Sequence, residues 1–182
     1  MTFAITVVSE KKFAMEKVLI VIIVTMSLIV LTTCRFESYD SEEEAGTVVA
    51  IVNWMSAICG AEHERIPSTD FGTFETHLND GVMLCILINK LLEDDGKRPV
   101  VIQKHVSLAS QAVANIENFN SGCMYYGMAK EHTLQAGDLM DGRKDQFVNV
   151  LHCLHNLGFI ANSKGYKPLY LGRRTITTDD FT

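Results

Sequence analysis

The sequence lacks the excess of positive charge that a nucleic-acid-binding surface needs. Its 182 residues carry 16 Lys and Arg against 22 Asp and Glu, a formal net charge of −6. From Phe36 onward 12 basic residues face 20 acidic ones, so this part alone is at −8. Proteins that bind nucleic acid through its phosphates present a basic face. We therefore expect no nucleic-acid partner, and any contact with an acidic surface must come from a local basic patch.

The sequence also lacks paired cysteines. There are five cysteines, an odd number, and none forms a CxxC pair: Cys34, Cys59, Cys85, Cys123 and Cys153. Wide spacing and an odd count do not fit a disulfide framework. The last four fall in or beside apolar helical patterns. They therefore predict reduced, buried thiols in a cytosolic domain.

Signatures of catalysis and of cofactor binding are missing as well. There is no Gly-rich phosphate loop, and Asp94-Asp95-Gly96 offers too few ligands for calcium. His152 and His155 share one side of a helix with Cys153 nearby, but no second pair of ligands follows at zinc-site spacing. We predict that these histidines pack under the tail or at the domain edge. The expected protein is not an enzyme and holds no metal or cofactor.

One long uncharged run is present near the N-terminus. Val18 to Cys34 comprises 17 residues without a charge, which as a helix span roughly 25 Å, slightly less than a bilayer core of about 30 Å. Lys11, Lys12 and Lys17 precede the run, and Thr32-Thr33 lies near its end. This order is typical of a secretory signal peptide or a retained membrane anchor. We predict such a hydrophobic helix in residues 1–35. The alternatives are a buried helix or strand of the domain, and a segment foreign to the natural protein.

The central stretch of the chain predicts a helix buried on most of its faces. Leu84, Leu87, Ile88 and Leu91 recur at i, i+3, i+4 and i+7, and apolar residues fill the other faces. Asp80-Gly81 precedes the helix as a turn and cap. Because glycine has no Cβ, Gly81 would let another backbone approach closely.

Three further apolar stripes predict three more main helices. These run over about Glu42 to Cys59, with a capping box at Ser41 to Glu44, over Ser107 to Tyr126, and over Lys144 to Ile160. Leu139-Met140 is assigned to a loop, and Val100 to Ile102 to an extended piece packed against the core. The chain divides into residues 1–35, an acidic linker 36–43, a domain 44–161 and a tail 162–182. Without a convincing sheet, the fold class is all-α.

Several segments, in this order, carry a resemblance to a known family. They are Trp54 with Ile58-Cys59-Gly60, Phe74 to Leu92, Asn115-Ile116-Glu117-Asn118-Phe119, Tyr126-Gly127, Asp138-Leu139, Lys144 to Leu157, and Ser163 to Lys167. Together they resemble the calponin homology domain, in particular its calponin and transgelin branch. The resemblance covers Glu44 to Lys167, about two thirds of the chain.

The resemblance implies a compact single calponin-homology-like helical domain, preceded here by the hydrophobic segment. Its core signature would comprise Trp54, Phe74, Gly81, Leu84, Ile88, Asn89, Ile116, Phe119 and Leu154. It also implies a non-catalytic cytoskeletal interaction module in the cytoplasm, which associates with actin filaments or serves as an adaptor. In calponins much of the actin affinity lies after the domain, and other actin binders carry two domains in tandem. This chain shows neither feature, so we expect actin binding to be weak or absent.

The basic residues of the tail are the candidate partner-binding residues. Lys164, Lys167, Arg173 and Arg174 could contact acidic actin or another cytoskeletal protein, and the alternative is ordinary solvated surface. A second hypothesis is a membrane-anchored or exported protein whose helical domain binds a partner other than actin. It depends on Val18 to Cys34. The basic residues before that run would place the domain outside the cytosol, which conflicts with its free thiols.

Overall fold

The computed structural model describes residues 38–173, in which the predicted all-helical fold is confirmed. These residues form no β-strand. The α-helices are α1 Tyr39–Glu44, α2 Thr47–Cys59, α3 Phe71–Leu78, α4 Val82–Asp94, α5 Ala109–Tyr126, α6 Ala136–Met140 and α7 Phe147–Ser163, with a 3-10 turn at Lys130–His132. The four long helices, α2, α4, α5 and α7, correspond to the four predicted main helices. The predicted hydrophobic helix at Val18 to Cys34 lies outside the described residues, as does Arg174.

Helix α4 is the centre of the bundle, as its continuous apolar sequence predicts. All of its residues except Lys90, Glu93 and Asp94 are buried. Helices α2, α3 and α5 all contact it. Each fully buried Leu or Ile contributes about 1.5–3 kcal/mol through loss of apolar surface from water. The burial of α4 is therefore a large apolar contribution to the stability of the fold.

Gly81, at the start of α4, is a point of close approach between α4 and α5. Its φ is +71°, and a Cβ built there would lie 2.7 Å from the Cβ of Asn115 on α5. The buried Asn115 side chain binds the backbone around this point. Its amide donates to the carbonyl oxygens of Asp80 at 2.9 Å and Gln103 at 3.1 Å, and its oxygen accepts from the Gln103 N–H at 2.8 Å. The close approach expected at Gly81 is confirmed.

The first predicted helix is two helices in the structure. A single helix over Glu42 to Cys59 is wrong, because the chain turns at Gly46, whose φ is +82°. Most of α1 falls in the stretch predicted to be an acidic linker. It begins three residues earlier than predicted, and its Tyr39 is buried against Phe71 and Phe147.

The predicted capping box at Ser41 to Glu44 is also wrong. Ser38 is the residue that caps α1, and it does so through a reciprocal pair with Ser41. The Ser41 N–H donates to the Ser38 hydroxyl at 3.2 Å, and the Ser38 N–H donates to the Ser41 hydroxyl at 2.9 Å. A serine at the third helical position can fill the role that Glu or Gln more often takes.

Other differences concern the ends of elements. Helix α5 begins at Ala109, because the Gln111 side chain accepts from the N–H groups of Ser107 and Leu108 before the helix starts. Helix α7 is shifted to Phe147–Ser163. Leu139-Met140, assigned to a loop from the sequence, lies in α6 with Leu139 buried.

The extended piece at Val100 to Ile102 does pack against the core. The Asn89 side chain of α4 holds it by donating to the Val100 carbonyl at 3.0 Å and accepting from the Val100 N–H at 2.6 Å. In residues 38–173, no helix is long and apolar enough to cross a bilayer.

The Gly81→Ala variant tests the close approach of α4 and α5. We expect it to lower the free energy of unfolding by roughly 3 kcal/mol, because the added methyl suffers both a left-handed backbone and overlap with Asn115. Urea unfolding followed by circular dichroism measures this loss. Gly96→Ala is the matched control, since its φ is +68° but nothing lies within 4 Å of the added Cβ. Equal losses in the two variants would show that the contact with Asn115 contributes nothing.

Candidate partner-binding surface

The described residues after α7 do not leave the domain as a free tail. Residues 166–172, here called the strap, run back over α7 and α2. Asn162 of α7 binds both backbone groups of Tyr170: it accepts from the Tyr170 N–H at 2.8 Å and donates to the Tyr170 carbonyl at 2.7 Å. The Trp54 indole N–H of α2 donates to the Pro168 carbonyl at 3.1 Å. The strap is therefore bound to the domain through its own backbone.

The side chain of Tyr170 fills a pocket between α2 and α7. It is only 2% exposed, and its hydroxyl lies 2.6 Å from Nδ1 of His155. The rings of Trp54 and Phe159 pack edge-on against it with centroids 5.5 and 5.4 Å away. Gly158 forms the floor, where any Cβ would overlap the tyrosine ring. Burial raises the pKa of Tyr170 well above its usual range, so the phenol stays protonated.

The four basic residues predicted to bind a partner have different surroundings. Lys164 forms an ion pair with Asp95 at 2.7 Å and lies 4.3 Å from the centroid of the Tyr126 ring. Lys97 shares the same carboxylate at 2.8 Å. The bonds from Lys164 and Lys97 hold the pKa of Asp95 below its usual value. Lys164 therefore connects the end of α7 to the end of α4 rather than projecting freely.

Lys167 and Arg173 are exposed, one in the strap and one directly after it. Leu169 and Leu171 are 42% and 80% exposed, whereas Tyr170 between them is buried. The exposed residues Lys167, Leu169, Leu171 and Arg173 combine basic and apolar side chains and are here called the outer row of the strap.

Of the two histidines of α7, His155 lies under the strap, as the sequence predicts. His152 and Cys153 line a polar cleft of about 260 Å³ together with Asp138 and Asn149. The Asp138 carboxylate is already used, since it accepts from the Asn149 side chain and from the Gln135 N–H, each at 2.8 Å. Within residues 38–173 no cluster of three or more His, Cys, Asp or Glu side chains is placed to hold a metal ion.

The prediction of buried, free thiols is confirmed for the four cysteines of the described residues, while Cys34 lies outside them. Cys59, Cys85, Cys123 and Cys153 are all buried and unpaired in disulfides. Burial raises the pKa of both Cys59 and Cys85 to about 12. These thiols are therefore protonated at neutral pH, whereas a nucleophilic cysteine needs its thiolate.

The fold and its core can be compared with known proteins. The family model described as the calponin homology (CH) domain matches residues 47–161 of this chain. The chain belongs to the calponin homology domain family. All nine residues of the predicted core signature are buried in this CH domain, from Trp54 on α2 to Leu154 on α7.

Two solved structures resemble this CH domain in fold. One is the calponin-homology domain of an IQGAP protein from Schizosaccharomyces pombe, with 21% identity and a TM-score of 0.56 over 76% of this chain and 82% of that one. The other is the calponin-homology domain of Rng2 from Schizosaccharomyces pombe, with 19% identity and a TM-score of 0.55 over the same shares. At these identities the likeness concerns the fold.

Sequence reasoning missed the strap of this CH domain. Residues 164–173 form no helix, and among them the buried Tyr170 lies between the exposed Leu169 and Leu171. Leu169, Tyr170 and Leu171 give no alternation by hydrophobicity, because all three are apolar or aromatic. Nothing in the sequence marks Asn162 and His155 as partners of Tyr170, since amides and imidazoles on a helix are common on solvated surfaces.

The Tyr170→Ala variant tests whether the strap stabilises the CH domain. We expect a loss of roughly 3 kcal/mol in the free energy of unfolding, the usual cost of emptying a buried aromatic site. Tyr170→Phe is the control, because it removes only the bond to His155 and should cost about 1 kcal/mol. Urea unfolding measures both. A loss for Tyr170→Ala as small as that for Leu171→Ala would show that the strap is not docked in solution.

Proposed function

We propose that this protein is a non-catalytic interaction module of the cytoskeleton, of the calponin and transgelin type, which associates with actin filaments or acts as an adaptor. Its membership of the calponin homology family, over residues 47–161, is the observation that carries the proposal. The CH domain is a cytoskeleton-associated interaction module. The protein then functions in the cytoplasm, where its reduced thiols are also stable.

The outer row of the strap is the surface that we assign to the partner. It places the charges of Lys167 and Arg173 beside the exposed Leu169 and Leu171. The chain as a whole carries a net negative charge, so an acidic filament would be attracted only at a local basic patch such as this row. Exposed ion pairs are individually weak and are screened by salt. The proposed contact is therefore weak and salt-dependent.

The anchoring of the strap supports this assignment in a second way. The bonds from Asn162 to Tyr170 and from Trp54 to Pro168 fix the backbone between the residues of the outer row, so its side chains are presented on an ordered segment. A partner that binds a fixed segment does not have to overcome the conformational entropy of a free tail. Lys164 takes part indirectly, because its bonds to Asp95 and Tyr126 hold the start of the strap.

Cosedimentation with actin filaments tests the proposal directly. The full chain should pellet with filaments at low ionic strength and less so at about 0.15 M salt, where the Debye length falls to about 8 Å. The double variant Lys167→Ala/Arg173→Ala should bind roughly three- to tenfold more weakly, since each exposed contact contributes little. A spin without filaments corrects for pelleting of the protein alone.

The matched control is Arg98→Ala/Lys104→Ala, which removes two exposed basic residues outside the strap. It should pellet like the unmodified chain. If both double variants lose the same affinity, the outer row is not the contact surface. If the unmodified chain does not pellet even at low salt, direct actin binding is ruled out, and the adaptor role with another cytoskeletal protein is the remaining form of the proposal.

The uncharged run from Val18 to Cys34 favours a second candidate function. In this alternative the protein is membrane-anchored or exported, and the CH domain binds a partner other than actin. A hydrophobic run preceded by three lysines is what such a topogenic segment requires.

Alkaline carbonate extraction of membranes from cells that express the full chain tests this alternative. An anchored protein should stay with the membrane pellet at its full length. A shortened product in the secretory pathway would indicate cleavage of a signal peptide instead. Recovery of the full-length chain in the carbonate supernatant would eliminate the anchor.

A further inference from the structure

The groove beneath the strap has the features of a site that recognises an extended peptide. Peptides bound in extended form are held by hydrogen bonds to their backbone, and pockets for alternate side chains provide the selectivity. Here Asn162 forms two hydrogen bonds with the backbone of one residue, Tyr170, through its donor and its acceptor. Trp54 donates to the carbonyl of Pro168, two residues earlier. These three bonds bind backbone groups, which any extended peptide possesses.

The pocket between these backbone contacts is selective for tyrosine. Gly158 leaves room for the ring, since a Cβ at that position would overlap it. Phe159 and Trp54 line the sides with edge-on ring contacts. His155 lies within hydrogen-bond distance of the phenol oxygen. Phenylalanine would fit the same space but would leave this bond unmade in a buried site.

The residues on either side of Tyr170 do not have to be of a particular type to fit the groove. Leu169 and Leu171 are 42% and 80% exposed and point away from the groove. The groove therefore recognises two features of the strap: the backbone carbonyl of Pro168 and, two residues later, the side chain of Tyr170. Proline suits the first position, because the Trp54 bond uses its carbonyl and requires no N–H there.

We infer that the groove between α2 and α7 is a binding site for extended peptide segments that carry a tyrosine two residues after the carbonyl bound by Trp54, and that the strap occupies it in cis. The strap is joined to α7 by only Lys164 and Gly165, so its effective concentration at the groove is high. A segment from another protein binds when the strap is released. This inference stands apart from actin binding, because it concerns the inner side of the strap rather than its outer row.

The test uses a synthetic peptide with the strap sequence YKPLYLGR, residues 166–173, and the full chain carrying Tyr170→Ala. This variant empties the pocket while leaving Trp54, the only tryptophan of the protein, in place as a reporter. The peptide contains no tryptophan. We expect saturable peptide-induced change in Trp54 emission. The unmodified chain should require at least about tenfold more peptide, because its own strap competes.

Peptide variants show which side chains of the peptide the groove recognises. A peptide in which alanine replaces the residue equivalent to Tyr170 should lose binding at least about tenfold. A peptide with alanine at the position of Leu171 should bind as the parent does, since that side chain is exposed. In the chain, adding Gly158→Leu to Tyr170→Ala should abolish binding by filling the pocket. Far-ultraviolet circular dichroism of each chain confirms that the helices are intact.

Tyr170→Phe gives a second, milder route if Tyr170→Ala does not fold. It weakens the strap without emptying the pocket, so the peptide should bind at lower concentrations than those that the unmodified chain requires. Three results would overturn the inference: no saturable change in either variant, equal affinity for the unmodified chain and the variants, or equal binding of the peptide that lacks the tyrosine. Each is independent of whether the protein pellets with actin.

Discussion

The fold depends on the close packing of α4 against α5 at Gly81 and Asn115. The absence of a side chain at Gly81 brings the two backbones together, and the buried Asn115 amide bonds the segments before both helices. A buried polar side chain of this kind is costly unless all its partners are present. It therefore fixes the register of two helices that apolar packing alone would let slide. Helices α2, α3 and α7 complete the bundle on this pair.

The parts of the fold that follow from periodicity could be predicted, and those that follow from side-chain bonds to backbone could not. The stripe through Leu84, Ile88 and Leu91 identifies α4, because a helix that is apolar on most faces is stable only when it is buried in the core. By contrast, the break at Gly46 and the cap at Ser38 depend on a single left-handed residue and on one serine pair. Hydrophobic periodicity does not reveal this break or this cap, because neither changes the pattern of apolar residues.

The candidate surface shows the same division. The sequence locates a basic group near the end of the domain, and Lys167 and Arg173 are indeed exposed there. It does not reveal that Lys164 is paired with Asp95, or that Tyr170 is buried, because both depend on residues distant in the chain. A basic tail and a docked strap have the same composition. Only the packing of α7 against α2 distinguishes a segment that is presented on a scaffold from one that is free.

The distribution of the cysteines has a consequence for how opening of this domain can be followed. Cys59, Cys85, Cys123 and Cys153 lie one each on α2, α4, α5 and α7, and all are buried. A buried thiol reacts with an alkylating reagent only after its helix has opened to solvent. Each of the four long helices thus carries one natural probe of its own opening, and mass spectrometry measures the alkylation of each cysteine. A domain that opens as one cooperative unit would label all four at one rate, whereas separate rates would give the order in which the helices detach.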